Sequence, residues 1–242
     1  MTERSTPCGQ LLVGPQEFLF ARAATLLADL HAAAARPPVC ALSGGGTPQA
    51  WFHWCLAQRA LPARLTATTH FTVSDERHVP LASDQSNFGN ATRGLLDPLA
   101  VPAAYRHAWP VALPPAEAAA AYGAAMEVLT GPGRAYDLCF LGLGEDAHTA
   151  SLFPGSPLLA DRSGGFFTAV DVPGKGGRLT ITPAGLRTCS LIMVLVLGAG
   201  KAEALQRVLL GPDDVGQTPG QILKACADRV IWLVDEAAAA RL

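Results

Sequence analysis

The chain has 242 residues, half of them hydrophobic and only 16% charged, with a formal net charge of −2. That length buries one large core without requiring a second domain. The charge balance offers no basic surface for nucleic acid or an anionic membrane, and the longest apolar run, Leu191 to Leu197, is too short to span a bilayer. We therefore expect one domain over residues 1–242, with residues 1–9 a flexible N-terminal segment. Met1 to Pro7 lacks the apolar centre of a signal peptide. The six cysteines (Cys8, Cys40, Cys55, Cys139, Cys189 and Cys226) show no Cys-x-x-Cys or zinc spacing, which suits reduced thiols in a cytoplasmic protein.

In chain order, a helix is expected from Gln16 to Ala35, followed by a short apolar strand from Val39 to Leu42. That strand runs into Ser43-Gly44-Gly45-Gly46-Thr47-Pro48, and a helix from Pro48 to Leu61 follows, with proline at its first turn. Consecutive glycines before a helix leave backbone N–H groups free to surround an anion, and the helix dipole favours one. Phosphate is the expected guest. The segment is not a Walker A loop, and Gln49 breaks the Gly-x-Gly-x-x-Gly spacing.

The next strand, Phe71 to Ser74, ends in Asp75-Glu76-Arg77, a dense charge cluster in a chain poor in charge. Ser86 reads as the N-cap of a helix reaching Leu96, and a further helix is expected from Pro115 to Leu129. A buried strand from Asp137 to Leu141 then enters Gly142-Leu143-Gly144-Glu145-Asp146-Ala147-His148-Thr149-Ala150-Ser151-Leu152-Phe153-Pro154-Gly155. Ligands of open α/β sheets bind beyond the carboxyl ends of the strands. A carboxylate two residues before a histidine, in such a turn, suits a general base. Thr149-Ala150-Ser151 looks like the opening turn of a short helix, so Ala147 is expected at negative φ.

Strands from Phe167 to Asp171 and Leu179 to Thr182 flank Asp171 to Gly177, whose glycines and proline suggest a mobile loop, and Arg178 opens the second strand. Leu191 to Leu197 is a buried strand. Lys201 follows it after Gly198-Ala199-Gly200, at the start of a helix to Leu210. A lysine there opposes the helix dipole unless an anion lies nearby. A strand from Arg229 to Val234 and a helix from Asp235 to Ala240 complete the chain. Alternating strands and helices imply a mostly parallel sheet covered on both faces.

Taken together, Ser-Gly-Gly-Gly-Thr-Pro, Asp-Glu-Arg-x-Val-Pro with a downstream Ser-Asn, and Gly-x-Gly-x-Asp-x-His-Thr-Ala-Ser-Leu-Phe-Pro-Gly resemble the signatures of the 6-phosphogluconolactonase family, from about Gln10 to Leu233. One departure is Ala147, where that family usually has glycine. The resemblance implies a three-layer α/β/α sandwich of the kind found in sugar-phosphate deaminases and ribose-5-phosphate isomerase. It also implies hydrolysis of a phosphorylated sugar δ-lactone, as a monomer or small homo-oligomer. His148 would deprotonate water, oriented by Asp146 or Asp75. The oxyanion would be met by the Gly44–Gly46 amides or by Arg77. Ser43, Gly44, Gly45, Gly46, Thr47, Arg178 and Lys201 would hold the substrate and its phosphate. No organic cofactor is implied, and the spacing of the acids gives no positive sign of a metal site. Deaminases have a similar pattern but place a glutamate five residues after the histidine, where this chain has Phe153. A non-catalytic sugar-phosphate sensor fused to a DNA-binding module would need a helix-turn-helix segment or basic stripe, and neither is apparent.

Overall fold

The computed structural model describes residues 1–242. The chain runs β1 (Thr2–Thr6), β2 (Gly9–Val13), α1 (Gln16–Ala33), β3 (Val39–Leu42), α2 (Gly46–Ala57), α3 (Ala63–Thr68), β4 (His70–Val73) and β5 (Asp75–Arg77). It continues through α4 (Asn87–Ala91), which passes into one π turn over Thr92–Leu96, then α5 (Pro115–Thr130), β6 (Leu138–Leu141), β7 (Phe167–Val172) and β8 (Gly176–Ile181). The last elements are α6 (Pro183–Leu186), β9 (Leu191–Val196), α7 (Ala202–Leu210) and β10 (Val230–Val234).

Seven strands form the central sheet in the order β1-β2-β10-β9-β6-β3-β4, parallel throughout except for β1. Helices cover both sides, giving the expected α/β/α sandwich. β3, β4, β6 and most of β9 and β10 are buried along their length, as the unbroken apolar runs require of a parallel sheet covered on both faces. From β3 the chain moves outward to β4 and then returns to β6 on the other side of β3. A crevice forms at such a reversal, beyond the carboxyl ends of the strands.

A second sheet, β5-β8-β7, is antiparallel. Ser74 joins the two sheets, because its amide donates to Leu42 O and its carbonyl accepts from the Ile181 amide. The chain therefore changes sheets immediately before Asp75, which fixes the Asp75–Arg77 cluster at the edge of the crevice.

At the opposite end of the central sheet, His70 opens β4 and its Nδ1 lies 2.8 Å from His107 Nε2. Nearby, Asp137 accepts from the Val39 amide, Arg36 and Arg134, which ties β3 to the start of β6.

Four expectations change. Residues 1–9 are not a loose segment: β1 and β2 form a hairpin paired to the sheet, with Thr6 Oγ1 bonded to Gly9 O and Trp232 Nε1 donating to Cys8 O. Asp171–Gly177 is a tight hairpin rather than an irregular loop, with Val172 paired to Gly176 and the Lys175 amide donating to Val172 O. Asp235–Ala240 forms only turns, although the Asp235 side chain accepts from the Ala238 amide in the manner of an N-cap as well as from the Gly198 amide. Thr149–Ser151 does not open a helix; Thr149 bridges to Leu152 instead.

Candidate active site

A cleft of about 200 Å³ lies at the crevice, lined by residues following β3, β4, β6 and β9. Ser43, Gly44, Gly45, Gly46 and Thr47 form one wall, Asp75, Arg77 and Asn87 a second, and Gly142–Gly144 with His148 and Ala150 a third. Lys201 enters from the turn after β9. Of the eleven residues expected to form the site, nine line this cleft, since Asp146 and Arg178 do not.

Asp146 stands directly behind His148. Its Oδ1 lies 2.5 Å from His148 Nδ1 and accepts the His148 amide at 3.1 Å. Partial burial pushes the Asp146 carboxyl upward, but the His148 hydrogen bonds and charge, together with Lys175, outweigh it and hold the group below the ordinary carboxylate value. Gly144 makes this arrangement possible, because a Cβ there would fall 2.0 Å from His148 Nδ1. The turn is closed by bonds from Gly144 N to His148 O, Ala147 N to Gly144 O and Thr149 Oγ1 to Gly142 O.

Within this closed turn Ala147 has φ +68, contrary to the expected negative value, and Ala150 has φ +48. The chain is held there by the Ala147 carbonyl, which accepts from the Gly220 amide, and by the bonds across the turn. Ala147 is fully buried and does not line the cleft.

Of the two candidate carboxylates, Asp146 and Asp75, only Asp146 bonds to the histidine. Asp75 is nearly buried and joins other parts of the site. Its Oδ2 accepts from Ser151 Oγ at 2.6 Å, and its Oδ1 accepts from Asn87 Nδ2 at 3.3 Å. Asn87 in turn lies so close to Gly44 that a Cβ on that glycine would sit 1.9 Å from Asn87 Oδ1. Asp75 thus ties the glycine turn and the histidine turn to the end of β4.

Glu76 was legible only as one charge in a cluster. It is fully buried and accepts four hydrogen bonds, from the Arg77, Asn87 and Phe88 amides and from Ser86 Oγ. Burial raises its carboxyl, although these donors pull it back. It anchors the start of α4, where Ser86 Oγ accepts from the Gly89 amide as the expected N-cap. Sequence reading also missed Ser151, Asn87 and Asp235, the last of which fixes Gly198 ahead of Lys201. The only signals for them were the Ser-Asn pair and the serine of the histidine motif.

Arg178 lies on β8 directly across from Arg77 on β5. Arg77 donates to Gln85 O, and Arg178 donates to Gly177 O. Burial and then the charge of Arg77 lower the Arg178 guanidinium from its usual value, against the pull of Asp75, Glu76 and Asp171. Like charges paired across strands are unfavourable in isolation. The two arginines lie side by side at this edge, and only Arg77 reaches the cleft.

All six cysteines are buried free thiols, and no helix is long and apolar enough to cross a membrane.

A family model described as glucosamine-6-phosphate isomerases/6-phosphogluconolactonase matches residues 15–232. The chain is 35% identical over 211 residues to a protein named 6-phosphogluconolactonase from Synechocystis sp., an alignment covering 84% of this chain and 83% of that one. A crystal structure of 6-phosphogluconolactonase from Thermotoga maritima superposes with a TM-score of 0.74 at 26% identity, covering 93% of this chain and 99% of that one. A monomeric glucosamine-6-phosphate deaminase shares the fold at a TM-score of 0.80 and 18% identity, over 96% of this chain and 99% of that one. By the extent of these matches, the chain belongs to the glucosamine-6-phosphate isomerase/6-phosphogluconolactonase family.

Proposed function

We propose that this protein hydrolyses 6-phospho-D-glucono-1,5-lactone to 6-phospho-D-gluconate, a step of the oxidative pentose phosphate pathway. The observation that carries the reading is His148, held from behind by Asp146, facing the same cleft as the glycine turn, Arg77 and Lys201. Relatives that match most of the chain bear the name 6-phosphogluconolactonase, which supports the lactone over other sugar phosphates.

Asp146 accepts at Nδ1, so the Nε2 lone pair of His148 takes a proton from water as the water oxygen attacks the lactone C1. The carbonyl electrons move onto oxygen, and the negative charge needs donors already in place. The Gly44–Gly46 amides and Arg77 are the candidates on the cleft wall. Collapse of the tetrahedral intermediate breaks the bond from C1 to the ring oxygen, and the imidazolium returns its proton to that oxygen. The open-chain acid then leaves. Lys201, Thr47 and the glycine amides hold the phosphate, with Arg178 adding charge from behind Arg77. Binding energy from that remote group orients the reacting carbonyl.

A deaminase or isomerase needs a further acid–base group for ring opening. The position five residues after His148 holds Phe153, whose ring stacks on the imidazole, so no carboxylate is there to supply one. The six buried thiols suit a reducing compartment, the cytoplasm, where the enzyme acts on a small molecule as a monomer or small homo-oligomer.

Incubation with freshly generated 6-phosphoglucono-δ-lactone, glucosamine-6-phosphate and ribose-5-phosphate tests the reading. Accelerated loss of the lactone alone is expected. Turnover of either other sugar phosphate in its place would reassign the reaction.

A further inference from the structure

His148 lines the catalytic cleft, whereas Asp146 and Phe153 do not. Those two instead border a second cavity, of about 500 Å³, together with Pro154, Val172, Pro173 and Lys175. The imidazole therefore stands between the cleft and two side chains that border this second cavity. Its one side-chain hydrogen bond, from Nδ1 to Asp146, holds one edge of the ring, and Gly144 backs that edge, since a Cβ there would fall 2.0 Å from Nδ1. The face of the ring meets Phe153. Its ring centroid lies 4.3 Å from that of His148, with the planes inclined by 29°. Phe153 is itself only half-buried. Lys175, at the tip of the β7–β8 hairpin, places its ammonium over the phenyl ring, 5.0 Å from the centroid. An ammonium over an aromatic face is attracted by the ring quadrupole. The hairpin tip is closed by the Lys175 amide, which donates to Val172 O.

We propose that Phe153 is a positioning residue, whose ring sets the plane of the His148 imidazole toward the cleft, and that Lys175 braces it from the hairpin tip. This inference rests on the reading of His148 as the base of lactone hydrolysis. General-base catalysis requires the attacking water within hydrogen-bond reach of a correctly aimed nitrogen. Loss of the stack leaves the cleft and its substrate contacts in place but spreads the ring over orientations, so the penalty falls on kcat.

The test compares wild type with Phe153→Leu, Phe153→Tyr and Lys175→Met, by lactone kinetics and by the NMR signals of the His148 ring protons. In the wild type those signals should be displaced by the aromatic ring current. Phe153→Leu should lose the displacement and lower kcat roughly 10- to 100-fold, the scale set by small misplacement of a catalytic group, with KM within about twofold. Phe153→Tyr, which keeps the ring, should restore both readings, and Lys175→Met should reduce both in part. Undisplaced His148 signals in the wild type would overturn the proposal without any variant. So would unchanged kcat in a folded Phe153→Leu protein, or Lys175→Met identical to wild type for the bracing role. A wild type that leaves the lactone untouched would instead strike the functional reading, and the ring-proton signals would still report the stack.

Discussion

His148 and Asp146 are joined twice within one turn, through the backbone amide and through Nδ1, both to the same carboxylate oxygen. An ionised carboxylate only accepts, so Nδ1 carries the hydrogen and Nε2 keeps its lone pair for the cleft. Asp146→Asn replaces that acceptor with a group able to donate, which permits the wrong tautomer. The variant should lose roughly 10²- to 10⁴-fold in kcat while KM changes little. Stopped-flow measurement of lactone loss checks this, and an undiminished kcat would separate Asp146 from the base.

Lys201 and Arg178 differ in place, and they should differ in effect. Lys201 lines the cleft, whereas Arg178 stands behind Arg77. Lys201→Ala should cut kcat/KM for the phosphorylated lactone about tenfold or more, with little change for unphosphorylated glucono-δ-lactone. Arg178→Ala should show the same preference with a smaller loss. Equal losses on the two substrates would place these residues outside the phosphate contact.

Ala147 occupies the left-handed region at φ +68, where a Cβ is unfavourable. Ala147→Gly should therefore stabilise the protein by about 1 kcal/mol, or roughly 2–4 °C in Tm for a chain of this size. Because Ala147 is buried outside the cleft, kcat/KM should stay within about tenfold of wild type. Calorimetry and lactone kinetics on the same preparation check both parts, and a lowered Tm would contradict the strain.

The histidines away from the site predict a pH dependence of stability. Burial, and for His70 also the charge of Arg36, lowers His70 below its ordinary 6.5; burial and the neighbouring His70 do the same to His107. Burial and Arg64 likewise lower His31. Below about pH 6.5 the unfolded chain thus binds more protons than the folded one, and this contribution to stability is lost as pH falls. Glu76, raised above its ordinary 4.5, acts in the opposite sense, so the informative quantity is a difference between proteins. Tm should fall between pH 6.5 and 5, and fall less in His107→Gln, which cannot take up that proton. Identical slopes for the two proteins would remove the His70–His107 pair from the effect.

The main features of the site were readable in the sequence because each lies where an apolar run stops. Val39–Leu42, Phe71–Val73 and Leu138–Leu141 are unmistakable as buried strands, so the polar residues after them had to meet at one edge of a parallel sheet. What escaped reading depended on contacts between distant segments. Nothing local indicates that Asp75 reaches Ser151 rather than His148, or that Glu76 is buried to hold α4. Ala147 misled for the same reason, since Gly220 and the closed turn fix its conformation against the local preference. The edge strand β1 is short, polar and exposed, and without its partner β2 it reads as loose chain.

The most direct measurement is the first-order loss of freshly generated 6-phosphoglucono-δ-lactone, corrected for spontaneous hydrolysis, with wild type and His148→Ala at equal concentration. The wild type should accelerate the loss in proportion to its concentration. His148→Ala should retain the fold and substrate affinity but lose roughly 10²-fold or more in kcat. Near-normal kcat in folded His148→Ala, or a wild-type rate no greater than the uncatalysed one, would contradict the account.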